Sequence, residues 1–395
     1  MRSLKTATSI LAVIAVCLLS GELALRAAGA LWAPASVLVL HHRIHDEDLG
    51  WRLNPAYPDI DAWCFRNESV PTQVDVVVLG DSQSYGYGVA PELSWPRQLT
   101  ALSGWSTYTI ACSGYSPVHG LAIWDDVVSL QPRVIVAAVY AGNDLYDSFD
   151  LVYGYGQLPH LRTKNDQRQA QIAALEASGR LAKQARLVTR MGRQPWPLRD
   201  FLRDHSTLFH FFRHVTNGSA ALAGRQQDSW QSARAYALLH PDFLYAHDGG
   251  AGSRTTLTIA KRLLPLDTSD PRIDEGLNVT LGALREMAER ATAAGARLVT
   301  VWIPTKELVF APGLNTQAVP QMNQLIVAET HVQQQVRDAT ADLGVTFIDA
   351  LPALRHSLRL GEGPYPESAD GHPTAIGYAQ IARIVAAALP RRDQL

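Results

Sequence analysis

Residues 74–88 read VDVVVLGDSQSYGYG, an apolar run that ends abruptly at Gly80, Asp81 and Ser82. A continuous apolar run of this length is typical of a parallel strand that is buried on both faces of a sheet. The acid and the hydroxyl that follow would then lie at the carboxyl end of the strand. Because ligands of open α/β sheets bind at that edge, the stretch predicts both a fold and a place for chemistry.

The rest of the chain alternates further apolar runs with helical patterns. Residues 273–294 carry an apolar stripe at helical spacing, and residues 374–388 predict a closing helix. This alternation predicts the α/β class, with a parallel sheet covered by helices on both faces. The predicted strands are Val74–Leu79, Thr107–Cys112, Arg133–Tyr140, Arg297–Ile303 and Val345–Ile348.

A long excursion, about residues 150–265, separates the third predicted strand from the fourth. It is too long for an unstructured loop and must have structure of its own. Its charged stretch Gln167–Leu187 has a helical pattern, and Phe201–Val215 is rich in aromatic residues. We therefore expect a largely helical insertion that forms a lid or side wall at the carboxyl edge of the sheet.

The composition excludes several classes of protein. A chain of 395 residues with 47% hydrophobic content can bury a large core. The net charge of −2 and the absence of a long basic run argue against nucleic acid as a partner. No cysteine and histidine spacing suggests a zinc site, and we expect neither a metal nor another cofactor.

The N-terminal segment predicts export of the body. Arg2 and Lys5 precede the apolar stretch Ala7–Ser20, an order shared by uncleaved anchors and cleaved signal peptides. We expect residues 1–30 to be a signal anchor, with the N-terminus in the cytoplasm and the body in the periplasm or outside. Secretion after cleavage near Ala30 is the alternative. Residues 31–70 are expected to form a stalk that packs onto the main domain, residues 71–395.

The residues at the predicted strand ends have complementary chemistry. A serine becomes a nucleophile when a base takes its proton, and His372 could do so for Ser82. Asp370 lies two residues before His372 and could orient its ring. The backbone N–H groups of Ser82 and Gly114 and the side-chain amide of Asn143 could hold an oxyanion. If the sheet forms as predicted, these segments meet at one edge.

These blocks resemble the SGNH hydrolases, also called GDSL-like esterases. The matching stretches are GDSQS (80–84), the glycine of ACSGYSP (111–117), the asparagine of AGND (141–144) and DGHPTAIGY (370–378). Longer stretches around them resemble a bacterial membrane-anchored branch. The resemblance covers about residues 74–145 and 297–388, and does not include residues 150–265.

The resemblance implies a three-layer α/β/α flavodoxin-like fold with about five parallel strands. It also implies that Ser82 is the nucleophile, His372 the base and Asp370 its orienting acid, with Ser82, Gly114 and Asn143 as the oxyanion hole. One departure concerns the acid, since many members place it three residues before the histidine, where this chain has Ala369.

Three further residues are candidates for the substrate pocket. Lys306 and Glu307 follow the fourth predicted strand, and a surface ion pair after a capping Thr305 is the alternative. Asp81 is the third candidate, and hydrogen bonding within its own turn is the alternative for it.

The sequence as a whole predicts an exported serine esterase that hydrolyses an O-acyl group, expected to be O-acetyl, on carbohydrate or another small ester. The partners expected are this substrate and the membrane, through the N-terminal helix. One alternative is an O-acyltransferase of envelope or extracellular polysaccharide that forms the same acyl-enzyme. A second is a non-catalytic binding or assembly protein. The site residues do not separate hydrolysis from transfer, because these differ in the acceptor.

Overall fold

A computed structural model of the chain describes residues 2–32, 42–57, 59–184, 202, 206–209, 212, 229–315 and 319–389. The strands of these residues, in chain order, are β1 (Arg43–Asp46), β2 (Gly50–Leu53), β3 (Val76–Gly80), β4 (Thr107–Ala111), β5 (Val134–Tyr140), β6 (Tyr245–Asp248), β7 (Arg254–Leu257), β8 (Arg297–Ile303) and β9 (Thr346–Asp349).

The α-helices with described bounds are α1 (Arg2–Trp32), α2 (Ser82–Tyr85), α3 (Trp95–Ser103), α4 (Pro117–Ala122), α5 (Trp124–Ser129), α6 (Asp144–Phe149), α7 (Asp166–Ser178), α8 (Ser229–Leu239), α9 (Ile259–Leu263), α10 (Pro271–Ala293), α11 (Lys306–Phe310), α12 (Pro320–Asp342), α13 (Leu351–Arg359) and α14 (Ala375–Ala388).

A five-stranded parallel sheet with the order β4-β3-β5-β8-β9 forms the centre of the molecule. Its β3 and β5 are buried along their whole length, which is why their sequences are uninterrupted apolar runs. On the flanks, α10 packs on α4 and α6, while α14 packs on α3 and α13. The predicted α/β class and the five parallel strands are confirmed, with ends that differ by at most two residues.

The segment after residue 41 is an integral part of the body. Leu53 of the antiparallel hairpin β1–β2, together with Ile60 and Phe65 of the irregular chain that follows, joins the hydrophobic core. From β2, the Trp51 indole Nε1 donates a hydrogen bond to the carbonyl oxygen of Ser113, at 2.9 Å. The expected packing segment therefore reaches the loop that follows β4, through a hairpin that the sequence did not reveal.

The described part of the insertion between β5 and β8 is built mainly from helices, as expected. It contains α7, α8 and α9, and also the antiparallel hairpin β6–β7. Glycines 249, 250 and 252 form the turn of this hairpin, and Thr255 and Thr256 supply the β-branched side chains of its second strand. Helix α7 ends at Ser178, before Gly179. Most of the aromatic stretch Phe201–Val215 lies outside the described residues.

The N-terminal residues form the 31-residue helix α1. Its Glu22 carboxylate accepts hydrogen bonds from the backbone N–H groups of Thr207 and Leu208, both at 2.9 Å. Within the ranges given above, no helix combines the length and the hydropathy that crossing a membrane requires. The signal anchor expected from residues 1–30 stays a prediction.

Packing of α10 against α6 generates a prediction about stability. A Cβ added at Gly276 would lie 2.1 Å from the backbone oxygen of Leu145, so the two helices must separate. We expect Gly276→Ala to lower the free energy of unfolding by about 1–3 kcal/mol, although alanine has the higher helix propensity. Urea unfolding followed by circular dichroism measures the change.

Gly282 in the same helix provides the matched control. A Cβ there would meet only the tip of the Leu161 side chain, at 3.3 Å, which can move. Gly282→Ala should therefore match the wild type or be more stable by up to about 1 kcal/mol. Equal stability of the two variants would contradict the close approach at Gly276.

Candidate active site

The carboxyl ends of β3, β4 and β5 converge on one edge, as parallel strands require. Ser82 begins α2 directly after β3. Asp81 caps that helix, and its Oδ1 accepts a hydrogen bond from the backbone N–H of Gln83, at 2.8 Å. Asp81 is 2% exposed, which agrees with a hydrogen-bonding role within the turn and not with a place on the pocket wall.

Ser82 and His372 meet although 290 residues separate them in the chain. The Ser82 Oγ lies 2.7 Å from the Nε2 of His372, and the Nδ1 of that ring lies 2.5 Å from the Oδ1 of Asp370. Burial acts to raise the pKa of Asp370, but its hydrogen bonds with His372 outweigh this and hold the pKa below the ordinary value. The three side chains form a continuous hydrogen-bonded relay.

Gly114 and Asn143 flank the serine. Gly114 has a φ of +85°, and a Cβ there would lie 2.8 Å from the Trp51 indole, so only glycine fits. Asn143 caps α6, and its Nδ2 donates a hydrogen bond to Asp147, four residues along. Together with Ser82, these residues line a cavity of about 270 Å³.

Three buried carboxyl groups, those of Asp81, Asp144 and Asp147, lie near the relay. Burial raises the pKa of Asp81 to about 6, against the opposing effect of its hydrogen bond from Gln83. The pKa values of Asp144 and Asp147 are raised well above the ordinary value, first by burial and also by the charge of Asp81. Burial and the repulsion between these acids therefore oppose the simultaneous ionisation of all three carboxyl groups.

Lys306 and Glu307 do not line the cavity, which corrects the expectation for both. They begin α11 and are completely buried, so the alternative of a surface ion pair is wrong as well. The Lys306 ammonium donates to the carbonyl oxygens of Ser368 and Asp370, at 2.7 and 2.8 Å. Burial lowers the pKa of Lys306 to about 8. Lys306 thus supports the segment that carries the acid and base of the relay.

Glu307 supports the neighbouring wall. Its Oε1 accepts a hydrogen bond from the backbone N–H of Thr258, at 2.7 Å, and its Oε2 lies 3.7 Å from the Arg262 Nε. Both partners belong to the end of the insertion. Glu307 therefore fixes the insertion next to the segment that Lys306 holds.

Several cavity-lining residues were not predicted from the sequence. Arg43 and Trp51 come from the β1–β2 hairpin, and Lys261 and Arg262 come from α9. Only tertiary packing brings these four residues to the cavity, so no local sequence pattern predicts their position. Asp147 could have been found, because a residue four positions after Asn143 on a helix shares its face.

The described residues contain no candidate metal centre. Within them, no group of three or more histidine, cysteine, aspartate or glutamate side chains could hold a metal ion.

Comparison with known proteins finds similarity only among solved structures. No protein-family model matches the chain, and no curated protein does. A lipolytic protein of the G-D-S-L family from Desulfitobacterium hafniense is 11% identical, with 80% of this chain and 100% of that one covered, at a TM-score of 0.38.

Two other solved structures are similar at the same level. An acetylxylan esterase from Geobacillus stearothermophilus is 10% identical, covering 81% of this chain and 97% of that one at a TM-score of 0.36. A GDSL-like lipase from Bacteroides thetaiotaomicron is 12% identical, covering 82% of this chain and 93% of that one at a TM-score of 0.35.

The buried carboxyl groups predict an unusual dependence of stability on pH. Because the folded state raises the pKa of Asp144, the unfolded chain releases this proton first, and stability falls as the pH rises above about 4. Asp144→Asn cannot ionise and still accepts the hydrogen bond that Tyr140 N–H donates. Its stability relative to wild type should therefore increase between pH 5 and pH 8, by at most about 1.4 kcal/mol per pH unit.

Urea unfolding of both proteins at several pH values measures this difference. A difference that stays constant over the whole range would show that Asp144 ionises alike in the folded and unfolded chains.

Proposed function

We propose that the chain is a serine esterase that hydrolyses an O-acyl ester through an acyl-enzyme on Ser82. The observation that carries the proposal is the relay from the Ser82 Oγ through both ring nitrogens of His372 to Asp370, at 2.7 and 2.5 Å. This is the geometry that activates a serine hydroxyl, and it opens into a cavity.

Acylation follows from the order of these contacts. As the Ser82 Oγ attacks the ester carbonyl carbon, His372 Nε2 takes the hydroxyl proton. Asp370 fixes the ring and stabilises the imidazolium through the hydrogen bond to Nδ1. When the tetrahedral intermediate collapses, the bond to the leaving alcohol breaks and His372 returns its proton to that oxygen. The acyl group then remains on Ser82.

The oxyanion of the intermediate requires preorganised donors. We assign this role to the backbone N–H groups of Ser82 and Gly114 and to the amide of Asn143, because these residues line the same cavity. The amide nitrogen carries two protons, and Asn143 gives one of them to Asp147. Asp147 therefore positions the amide, and burial raises the pKa of its carboxyl group well above the ordinary value.

Deacylation reverses the roles with water as the nucleophile. His372 takes a proton from water while the oxygen attacks the acyl carbon, and it then protonates Ser82 as the acyl bond breaks. The products are a carboxylic acid and the regenerated hydroxyl. No other reactant is needed.

The cavity favours a short acyl group on carbohydrate. Its volume is about 270 Å³, and its lining combines Trp51, Tyr140 and Tyr146 with polar groups. Flat aromatic faces beside hydrogen-bonding groups suit the apolar faces and hydroxyls of a sugar ring. We therefore propose an O-acetylated carbohydrate as the substrate, and location of the enzyme outside the cytoplasm remains a prediction from residues 1–30.

Labelling with a fluorophosphonate, together with hydrolysis of p-nitrophenyl acetate, tests the proposal. The wild type should be labelled on Ser82 and should release p-nitrophenol. Ser82→Ala should abolish labelling, and Ser82→Ala and His372→Ala should each lower kcat by at least about 10³-fold, because the relay acts as one unit.

Ser84 provides the matched control. It is a buried serine two residues away, and its hydroxyl has no hydrogen-bond partner among the described residues. Ser84→Ala should keep both labelling and turnover. A folded wild type that neither reacts with the probe nor cleaves short esters would contradict the proposal and favour a binding protein. Turnover only when a sugar hydroxyl is supplied as acceptor would assign acyl transfer instead.

A further inference from the structure

Three basic side chains line the same cavity as Ser82. Arg43 comes from β1, and Lys261 and Arg262 come from α9 at the end of the insertion. The chain as a whole has a net charge of −2. Positive charge is therefore concentrated at the site although the protein is slightly acidic. Charge of one sign within a cleft attracts a ligand of the opposite sign.

Arg43 is available to a ligand. Its side chain is exposed, and its guanidinium lies 5.3 Å from the centre of the Trp51 ring. Among the residues that the structure describes, it has no carboxylate ion-pair partner within 4.0 Å. The ring holds the guanidinium at the cavity without neutralising it.

Arg262 belongs to a buried ionic network. Its guanidinium lies against Glu307, the same carboxylate whose charge also acts on Lys306. The charge of Asp370 acts on both cations as well, so the positive charge of Arg262 is compensated within the network. The Arg262 Nε has no hydrogen-bond partner in the described part of the chain.

The acid on the cavity wall does not cancel this charge. Asp147 is the carboxyl group among the described lining residues. Burial raises its pKa well above the ordinary value, against the smaller lowering effects of the Asn143 hydrogen bond and the Arg43 charge. The cavity therefore presents three basic side chains and one carboxyl group beside aromatic rings.

We propose that the alcohol part of the substrate carries a carboxylate close to the ester, as in an O-acetylated uronic acid residue of an acidic polysaccharide. This proposal rests on the esterase function proposed above. The carboxylate is bound by Arg43, beside the face of Trp51. The bonds that form and break are those of ester hydrolysis, and the carboxylate is unchanged.

A matched pair of substrates tests the charge requirement. The O-acetylated methyl glucuronide and the methyl glucoside acetylated at the same position differ only in the carboxylate. We expect kcat/KM to be at least 10-fold higher for the glucuronide at low salt, with the ratio falling as salt screens the exposed Arg43. Arg43→Gln should lower the ratio several-fold, mainly through KM for the glucuronide.

Arg133→Gln removes the same positive charge as Arg43→Gln and serves as its control. Arg133 is exposed and directly precedes β5, at the opposite edge of the sheet from Ser82, so this variant should keep the wild-type ratio. A ratio near one in an enzyme that still cleaves p-nitrophenyl acetate would overturn the inference and leave the esterase intact. A preference that Arg43→Gln does not change would also overturn it. Failure to cleave any ester, with no fluorophosphonate labelling, would instead be failure of the proposed function.

Discussion

The site depends on one buried ammonium group. The Lys306 Nζ donates hydrogen bonds to the carbonyl oxygens of Ser368 and Asp370, and so fixes the segment that carries the acid and the base. This segment has no regular secondary structure, so its backbone lacks the ladder that holds Ser82 at the end of β3. Burying a lysine is costly, as its lowered pKa shows, and the cost is offset only where the ammonium has partners.

The same network joins the reaction centre to the substrate-binding wall. Glu307 follows Lys306 and binds Thr258 and Arg262, which belong to the end of the insertion. The Arg262 Nη1 in turn lies 3.4 Å from the carbonyl oxygen of Gly142, next to Asn143. The relay, the loop that carries Asn143 and the basic wall are therefore held by one set of buried polar contacts. A substitution that removes one of these contacts should therefore change the geometry at the others.

The sequence predicted the sheet and the residues that meet at its edge because both have local signatures. Valine-rich runs mark strands buried on both faces, and short motifs mark the residues at their ends. It could not predict the β1–β2 hairpin at the cavity, since the contact of Trp51 with Ser113 joins residues 62 positions apart. Lys306 and Glu307 were misplaced for a related reason. A threonine, a lysine and a glutamate begin exposed helices and buried ones alike, and only tertiary packing decides which.

Single-turnover acylation of Lys306→Met tests most directly whether this buried lysine assembles the site. Methionine keeps much of the length of the side chain and removes the hydrogen bonds, so the variant should fold with reduced stability. We expect acylation of Ser82 by p-nitrophenyl acetate to slow by about 10²-fold with little change in KM, because the relay loses its alignment. Lys183→Met, at an exposed lysine of the insertion, controls for loss of charge. A folded Lys306→Met protein that acylates at the wild-type rate would contradict the account.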